Sequence, residues 1–448
     1  EPLAPFMDLC VIGEAEPLLP DLIDGLEKTG FSDRSEVLYR LNRDCPGFYA
    51  PRLYAPCYDE QDRFVRFESP PELPARIKRI GLAETERAGH SELLTPETEF
   101  ADLYLTELGR GCSRGCRFCT AGFVYRPPRL WDTEAILAGL AERPESIERV
   151  GLLGMEMTDR DSLELISQKL VADGCSLSFS SLRADRISDN LLGLLSTSGL
   201  KSAAIAPDGA SERLRRVINK QLTEADLIGA VEKLTEAGLH RIKLYLMIGL
   251  PSETRDDLDE FVQMVERMRQ VMNAIGRPRG RLSELTVSVN SFVPKPWTPF
   301  QYHPYGESAE LGPEETFAGR DAVATIKGKI KFLRKRFASV PNLQLKFDSP
   351  DQAFFQAVLA RGDRRLALLL LNMADSGISL KQALKREGLS EGLYATRQYD
   401  RNSGLPWSII DHSIDDDYLW SEYRRAFAEK MTAPCDTSVC RRCGVCHD

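Results

Sequence analysis

Along the middle of the chain, apolar and polar positions fall into blocks that switch between two periods. Short apolar runs occur at "DLYLTEL" (102–108), "RVGLLG" (149–154), "SLSFSSL" (176–182), "KSAAIAP" (201–207), "RIKLYLMIGL" (241–250) and "LTVSVNSFVP" (285–294). The stretches near 133–142, 161–173, 188–199, up to 238, and 254–275 carry apolar residues at helical spacing. Strand-length apolar runs separated by amphipathic segments predict a parallel sheet covered by helices. With right-handed crossovers the six runs predict an incomplete (β/α) barrel, with its chemistry at the carboxy-terminal ends of the strands.

The flanks read differently. "EPLAPFMDLCVIGEAEPLLPDLIDGLEKTG" predicts a buried strand from Leu9 to Ile12, a turn at Gly13 and a helix ending near Gly30. "CPGFYAPRLYAPCYDEQDRFVRF" predicts a hairpin, and residues 74–95 a charged helix or linker. Beyond residue 310 helical patterns return in "DAVATIKGKIKFLRKRF"; "DSPDQAFFQAVLARGDRRLALLLLNMA" predicts a strand edge followed by helices. The expected division is a small α/β unit with a hairpin (1–75), a linker (76–100), the barrel core (101–310), a helical region (311–434) and a cysteine-rich tail (435–448).

Composition narrows the class. With 448 residues, 42% hydrophobic and 28% charged, the chain has an ordinary globular balance and room for two or three domains. No run of about 18 apolar residues suggests a membrane span, and no apolar leader is read. The chain opens on Glu1 rather than Met, so a preceding piece is expected. A net charge of −9 argues against a surface built wholly for nucleic acid. The basic run Lys327, Lys329, Lys331, Arg334, Lys335, Arg336 could meet RNA phosphates. The favoured reading is one solvated face of a helix whose apolar face carries Ile326, Ile330, Leu333 and Phe337.

Eleven cysteines add the chemistry. Seven form two tight groups, Cys112, Cys116, Cys119 and Cys435, Cys440, Cys443, Cys446; Cys10, Cys45, Cys57 and Cys175 are scattered. Tight groups in a long chain read as metal sites in a reducing compartment, taken here as the cytoplasm. A cubane cluster is ordinarily held by four cysteines, so three local thiolates leave one iron open for a small chelating molecule. Zinc with a distant fourth ligand, or a cluster closed by a remote cysteine, are the alternatives. Gly109, Gly111 and Gly115 allow a close-wrapped loop, Arg110, Arg114 and Arg117 could offset cluster charge, and Phe118 could pack on a flat ring. The tail's four thiolates could complete a closed site, either an auxiliary 4Fe–4S cluster or zinc, with Gly444 turning the chain and His447 a bystander.

Cys112-x-x-x-Cys116-x-Phe118-Cys119 after a first barrel strand resembles the signature of the radical S-adenosylmethionine (SAM) superfamily. "SSLRADRIS", "IAPDGASERLRRVINKQLTEADL", "KLYLMIGLPSET", "VPKPWTPFQ" and the "CDTSVCRRCGVC" tail resemble, within it, proteins with a cobalamin-binding-type amino-terminal domain and a CxxCxxC tail. The middle blocks are also similar to the radical SAM methylthiotransferases. The resemblance implies a 4Fe–4S cluster whose open iron chelates SAM, cleavage of SAM to a 5′-deoxyadenosyl radical, and hydrogen abstraction from an unidentified substrate. It also implies a small reductant protein such as flavodoxin or ferredoxin. RNA or ribosomal-protein modification is a second enzymatic reading, and a non-catalytic iron–sulfur protein the competing class.

The same resemblance places further contacts. Glu156 follows the second strand, where the family binds the SAM amino group, although Gly154-Met155-Glu156 departs from the usual Gly-Gly-Glu. Ser181 and Arg183 end the third strand, and Arg183 could clamp the SAM carboxylate. Glu212 and Lys220 follow the fourth, toward the ribose hydroxyls and the carboxylate respectively. A helix cap or surface charge would account equally well for Ser181, Arg183, Glu212 and Lys220, and better for Glu156. The amino-terminal segment resembles only the second half of a cobalamin-type domain, and no Asp-x-His-x-x-Gly motif occurs, so cobalamin is not expected.

Overall fold

The structure is a computed structural model and describes residues 1–29, 33–98, 100–154, 160–178, 181–306 and 321–446. At the amino terminus β1 (Cys10–Val11) leads into α1 (Ala15–Thr29) and α2 (Arg34–Asp44), and β2 (Phe48–Tyr49) returns antiparallel to β1. The strand expected at 9–12 is thus present, but it is two residues long and pairs in the opposite sense to a parallel α/β sheet. β3 (Ala55–Tyr58) and β4 (Phe64–Glu68) form the expected hairpin. Residues 74–95 hold no helix; prolines at 70, 71 and 74 precede β5 (Ile77–Lys78), whose partner lies near the far end of the chain.

The central strands appear where the apolar runs predict them. β6 (Tyr104–Glu107) is followed by a small antiparallel pair, β7 (Gly109–Arg110) and β8 (Arg129–Leu130), that frames the first cysteine loop. Then come α3 (Thr133–Ala141), β9 (Arg149–Leu153), α4 (Arg160–Ala172), β10 (Ser176–Ser178) and α5 (Asp189–Thr197). β11 (Ser202–Asp208), α6 (Glu212–Val217), α7 (Glu224–Glu236), β12 (Arg241–Ile248), α8 (Arg255–Gly276) and β13 (Glu284–Ser291) complete the predicted series.

All neighbouring pairs among these barrel strands are parallel, in the orders β10-β9-β6 and β11-β12-β13, and a parallel bridge from Leu182 to Ile205 joins the two parts. After α9 (Ala322–Phe337), β14 (Leu343–Phe347) adds a further parallel strand beside β13. The strand edge therefore lies before residue 348, where Leu343, Leu345 and Phe347 alternate with polar residues.

Burial alternates along β12 and β13. Ile242, Leu244, Leu246, Ile248, Leu285, Val287 and Val289 are buried in one cluster with Leu227 and Val231 of α7 and Phe261 and Val265 of α8. The other face carries Lys243, Tyr245 and Met247 in register with Thr286, Ser288 and Asn290, all partly exposed. The sheet's inner wall is therefore mostly polar.

The carboxy-terminal region contains α10 (Pro350–Arg361), α11 (Leu366–Ser376), α12 (Leu380–Arg386), α13 (Glu391–Tyr394), β15 (Ile410–Asp411) and α14 (Asp416–Phe427). Its apolar residues, with Cys443 of the tail, belong to the same core as the barrel. β15 pairs with β5, and Ile409 and Ile410 pack with Tyr49, Tyr54, Leu73 and Ile77 of the amino-terminal unit. Both flanks therefore close onto one another. Among the described residues, no helix is long and apolar enough to cross a membrane.

Candidate metal and cofactor site

The first cysteine loop leaves β7 at the carboxy-terminal end of β6. Gly111 has φ +85°, and a Cβ there would come within 2.7 Å of the Tyr125 carbonyl oxygen, so the tight entry requires glycine. Cys119 N–H donates to the Cys116 carbonyl (3.0 Å), folding the Cys-x-x-Cys half into a turn. Cys116 is buried, whereas Cys112 and Cys119 are partly exposed. Phe118 is half-buried and packs on the main core.

Three neighbours surround the Cys116 sulfur. Its thiol donates to the Asn219 carbonyl at 3.8 Å. Burial pushes this thiol up from its ordinary value, while the Lys220 and Arg183 cations pull in the opposite direction. Lys220 donates to Asp208 at 2.5 Å. Burial disfavours the Lys220 charge, yet Asp208 and Cys116 beside it hold the ammonium above its ordinary value. Asp208 reaches this position because β11 is irregular between Ile205 and Asp208 and ends with Asp208 at φ +59°. Arg183 donates to the Lys220 carbonyl (2.8 Å) and pairs with Asp185 (2.7 Å).

The expected anion-binding pair, Arg183 and Lys220, thus stands beside a loop cysteine. Asp208 and Asn219, which no motif or spacing in the sequence singles out, complete this group. Ser181 is exposed. Glu212 accepts from the Glu224 N–H (3.2 Å), so it caps α7, and it lines a cavity of about 440 Å³ with Gln221, Met431 and Pro434. Glu156 and His447 lie outside the described residues.

Two of the loop arginines serve other carboxylates. Arg110 pairs with Glu14, Glu16 and Glu107, joining the loop's first strand to the amino-terminal unit. Arg117 is fully buried, pairs with Glu422 of α14 at 3.1 Å and donates to the Arg216, Val217 and Lys430 carbonyls. It braces the loop against the carboxy-terminal region. The cations beside the Cys116 sulfur are Lys220 and Arg183 instead.

The tail folds on itself. The Val439 and Cys440 N–H groups donate to the Asp436 carbonyl, and Gly444 turns the chain at φ +85°. Arg442 donates to the Cys440 sulfur (3.3 Å) and to the Ala433 and Pro434 carbonyls. Although burial pushes the Cys440 thiol up, the Arg442 backbone N–H and guanidinium bring it below its ordinary value. Burial and the neighbouring Cys440 push Cys435 up to about 11. Arg126 lies over the Phe123 and Tyr418 rings (4.8 and 5.3 Å) and beside Cys443.

The tail also meets the first loop, because the Cys435 N–H donates to the Ser113 carbonyl at 2.7 Å. Among the described residues, no three His, Cys, Asp or Glu side chains converge as ligands of a single ion do. A cubane cluster distributes its thiolates around several irons rather than one point. Three sulfurs on one loop, with two cations that favour the charged form of the buried one, fit such a group.

A family model of the radical SAM superfamily matches residues 106–265. An uncharacterised protein of Methanocaldococcus jannaschii is 28% identical over 393 residues, covering 87% of this chain and 74% of that protein. Ribosomal protein uS12 methylthiotransferase RimO of Chlorobium phaeobacteroides is 22% identical over 279 residues, 57% of this chain. The match covers 63% of RimO, less than two thirds of its length. Radical SAM methyltransferase TsrM from Kitasatospora setae, solved with cobalamin and a 4Fe–4S cluster, has 12% identity and a TM-score of 0.44, covering 85% of this chain and 77% of that one. The expectation that cobalamin is absent gains no support from these comparisons.

Proposed function

We propose that this chain, whose residues 106–265 match the radical SAM superfamily model, cleaves SAM reductively at the first cysteine loop and modifies a substrate held against the barrel's inner wall. One observation carries this reading. Three cysteines share a loop at the carboxy-terminal end of the first barrel strand, and the buried one, Cys116, sits beside Lys220 and Arg183. Cys112, Cys116 and Cys119 would hold a 4Fe–4S cluster, which supplies the electron that breaks SAM into methionine and a 5′-deoxyadenosyl radical.

The protein's own residues have separate tasks. Lys220 and Arg183 receive the anionic end of SAM, with Asp208 fixing the ammonium and Asp185 the guanidinium. Phe118, anchored on the core, stands in the chain just before the last ligand. Tyr245, Ser288 and Asn290 on the inner wall can meet a substrate's polar groups. The four tail cysteines would hold a second metal group, an auxiliary cluster in preference to zinc, since among the described residues no three such side chains converge on one ion. Likeness to the uS12 methylthiotransferase favours, as a second reading, modification of a ribosomal protein. The reductant is a small electron-transfer protein.

Anaerobically reconstituted, dithionite-reduced protein should convert SAM to 5′-deoxyadenosine and methionine. Absence of both products from protein with a full complement of iron would refute the reading.

A further inference from the structure

Asn219 makes contacts that neither SAM nor a metal requires. It is buried and adopts φ +56°, a left-handed conformation that asparagine tolerates better than most residues. Its side-chain amide donates to the Gly115 carbonyl of the first loop (3.0 Å) and to the Thr432 carbonyl of the tail segment (3.1 Å). Its side-chain oxygen accepts the Thr432 N–H (2.9 Å), so the amide pairs with Thr432 as another peptide would. Its backbone carbonyl accepts from the Cys116 thiol. A Cβ on Gly115 would stand 3.3 Å from the Asn219 amide nitrogen, which leaves room for glycine and little more.

One residue therefore touches the loop, the tail and a cluster cysteine together. Three residues beyond Thr432, Cys435 binds the Ser113 carbonyl, and Thr432 Oγ1 donates to Glu422, the partner of Arg117. We propose that Asn219 is a positioning residue that makes the first cysteine loop and the carboxy-terminal tail one coupled unit, so that the tail must be docked for the loop to retain its cluster in SAM-responsive form. Coupling of this kind is reciprocal: whatever orders the tail stabilises the loop, and a filled loop holds the tail. The inference rests on the radical SAM reading for its cluster, but the coupling has its own readouts.

The test uses the full chain and perturbs each side while reading the other. Asn219→Asp keeps size and shape but turns carboxylate oxygen toward two carbonyls. It should speed tryptic cleavage after Lys430 about tenfold or more, the scale of one lost buried hydrogen bond. Thr432→Pro removes the tail N–H and is read at the loop. Alkylation of Cys116 by iodoacetamide, mapped by mass spectrometry after iron is chelated, should rise by a similar factor. In the reconstituted chain the SAM-induced change in the EPR spectrum should shrink. Gly115→Ala, should Asn219→Asp not fold, is read by the same tail cleavage.

Wild-type tail cleavage in Asn219→Asp or in its Gly115→Ala substitute, or wild-type Cys116 alkylation in Thr432→Pro, would overturn the coupling. If the wild type shows no SAM response, the functional reading fails while the proteolysis and alkylation arms still decide the coupling.

Discussion

The two cysteine groups solve one chemical problem by opposite means. Around Cys116, the neighbours come from the segment after β10, from β11 and from the turn after α6, and the bracing salt bridge spans 305 positions from Arg117 to Glu422. Around the tail cysteines, the hydrogen bonds come mostly from the tail itself: Asp436 to residues 438–440, and Arg442 to Cys440, Ala433 and Pro434. The first group is held by distant elements of the fold, whereas the second is shaped by its own turn and then docked on the rest through Cys435 and Cys443. A site assembled from distant elements depends on global packing, whereas a local site depends on a few backbone bonds.

That contrast can be broken most forcefully at the thiols. Replacing Cys112, Cys116 and Cys119 together by Ala should abolish SAM cleavage while metal remains bound at the tail. Metal analysis after anaerobic reconstitution distinguishes about four irons with sulfide from one zinc there, and a variant that still cleaves SAM would relocate the active cluster.

Glu422→Ala comes next, since it leaves the Arg117 guanidinium buried without its carboxylate. The expected loss is about 3–5 kcal/mol in urea unfolding. An unchanged midpoint would mean that the loop is not braced by this pair.

Arg183→Ala should weaken SAM binding roughly tenfold without loss of iron, the scale of one charge-assisted hydrogen bond of about 1.5 kcal/mol. Equal affinity in Arg183→Ala and Lys220→Ala, matching the wild type, would make both residues structural.

The smallest effect concerns acid. His412 is buried against the Trp297 ring (4.7 Å), with Arg79, Asp411, Arg76 and the Val124 backbone facing it, and desolvation lowers its pKa to about 4. The unfolded chain, titrating near 6.5, then binds more protons than the folded one between those values. Stability from this burial is complete above about pH 6.5 and is lost as the pH falls toward 4. His412→Phe should flatten that part of the stability curve; an unaltered slope would assign the acid sensitivity elsewhere.

Much of the barrel was legible because strand-length apolar runs such as "RIKLYLMIGL" alternate with helical spacing, a pattern that needs no tertiary information. β14 was misplaced because "LQLKF" is short and follows a loop, so its alternation competes with the adjacent helix signal. The cysteine groups stand out by their spacing, and Arg183 and Lys220 are singled out by the strand ends they follow. Asp208, Asn219 and Thr432 were not, since their partners are fixed only when the chain closes on itself. The arginines of the loop illustrate the same limit. Three positive charges beside three thiols suggest charge balance, yet Arg110 and Arg117 answer to Glu14 and Glu422, far away in sequence.

The proposed chemistry stands or falls with a cluster on the first loop whose open iron receives SAM. The most direct measurement is the EPR spectrum of the reduced, reconstituted full chain with and without SAM. The expected signal changes shape on adding SAM and is missing from the Cys112/Cys116/Cys119 triple alanine variant. A spectrum identical in the presence and absence of SAM, or one that survives in the triple variant and still responds to SAM, would contradict it.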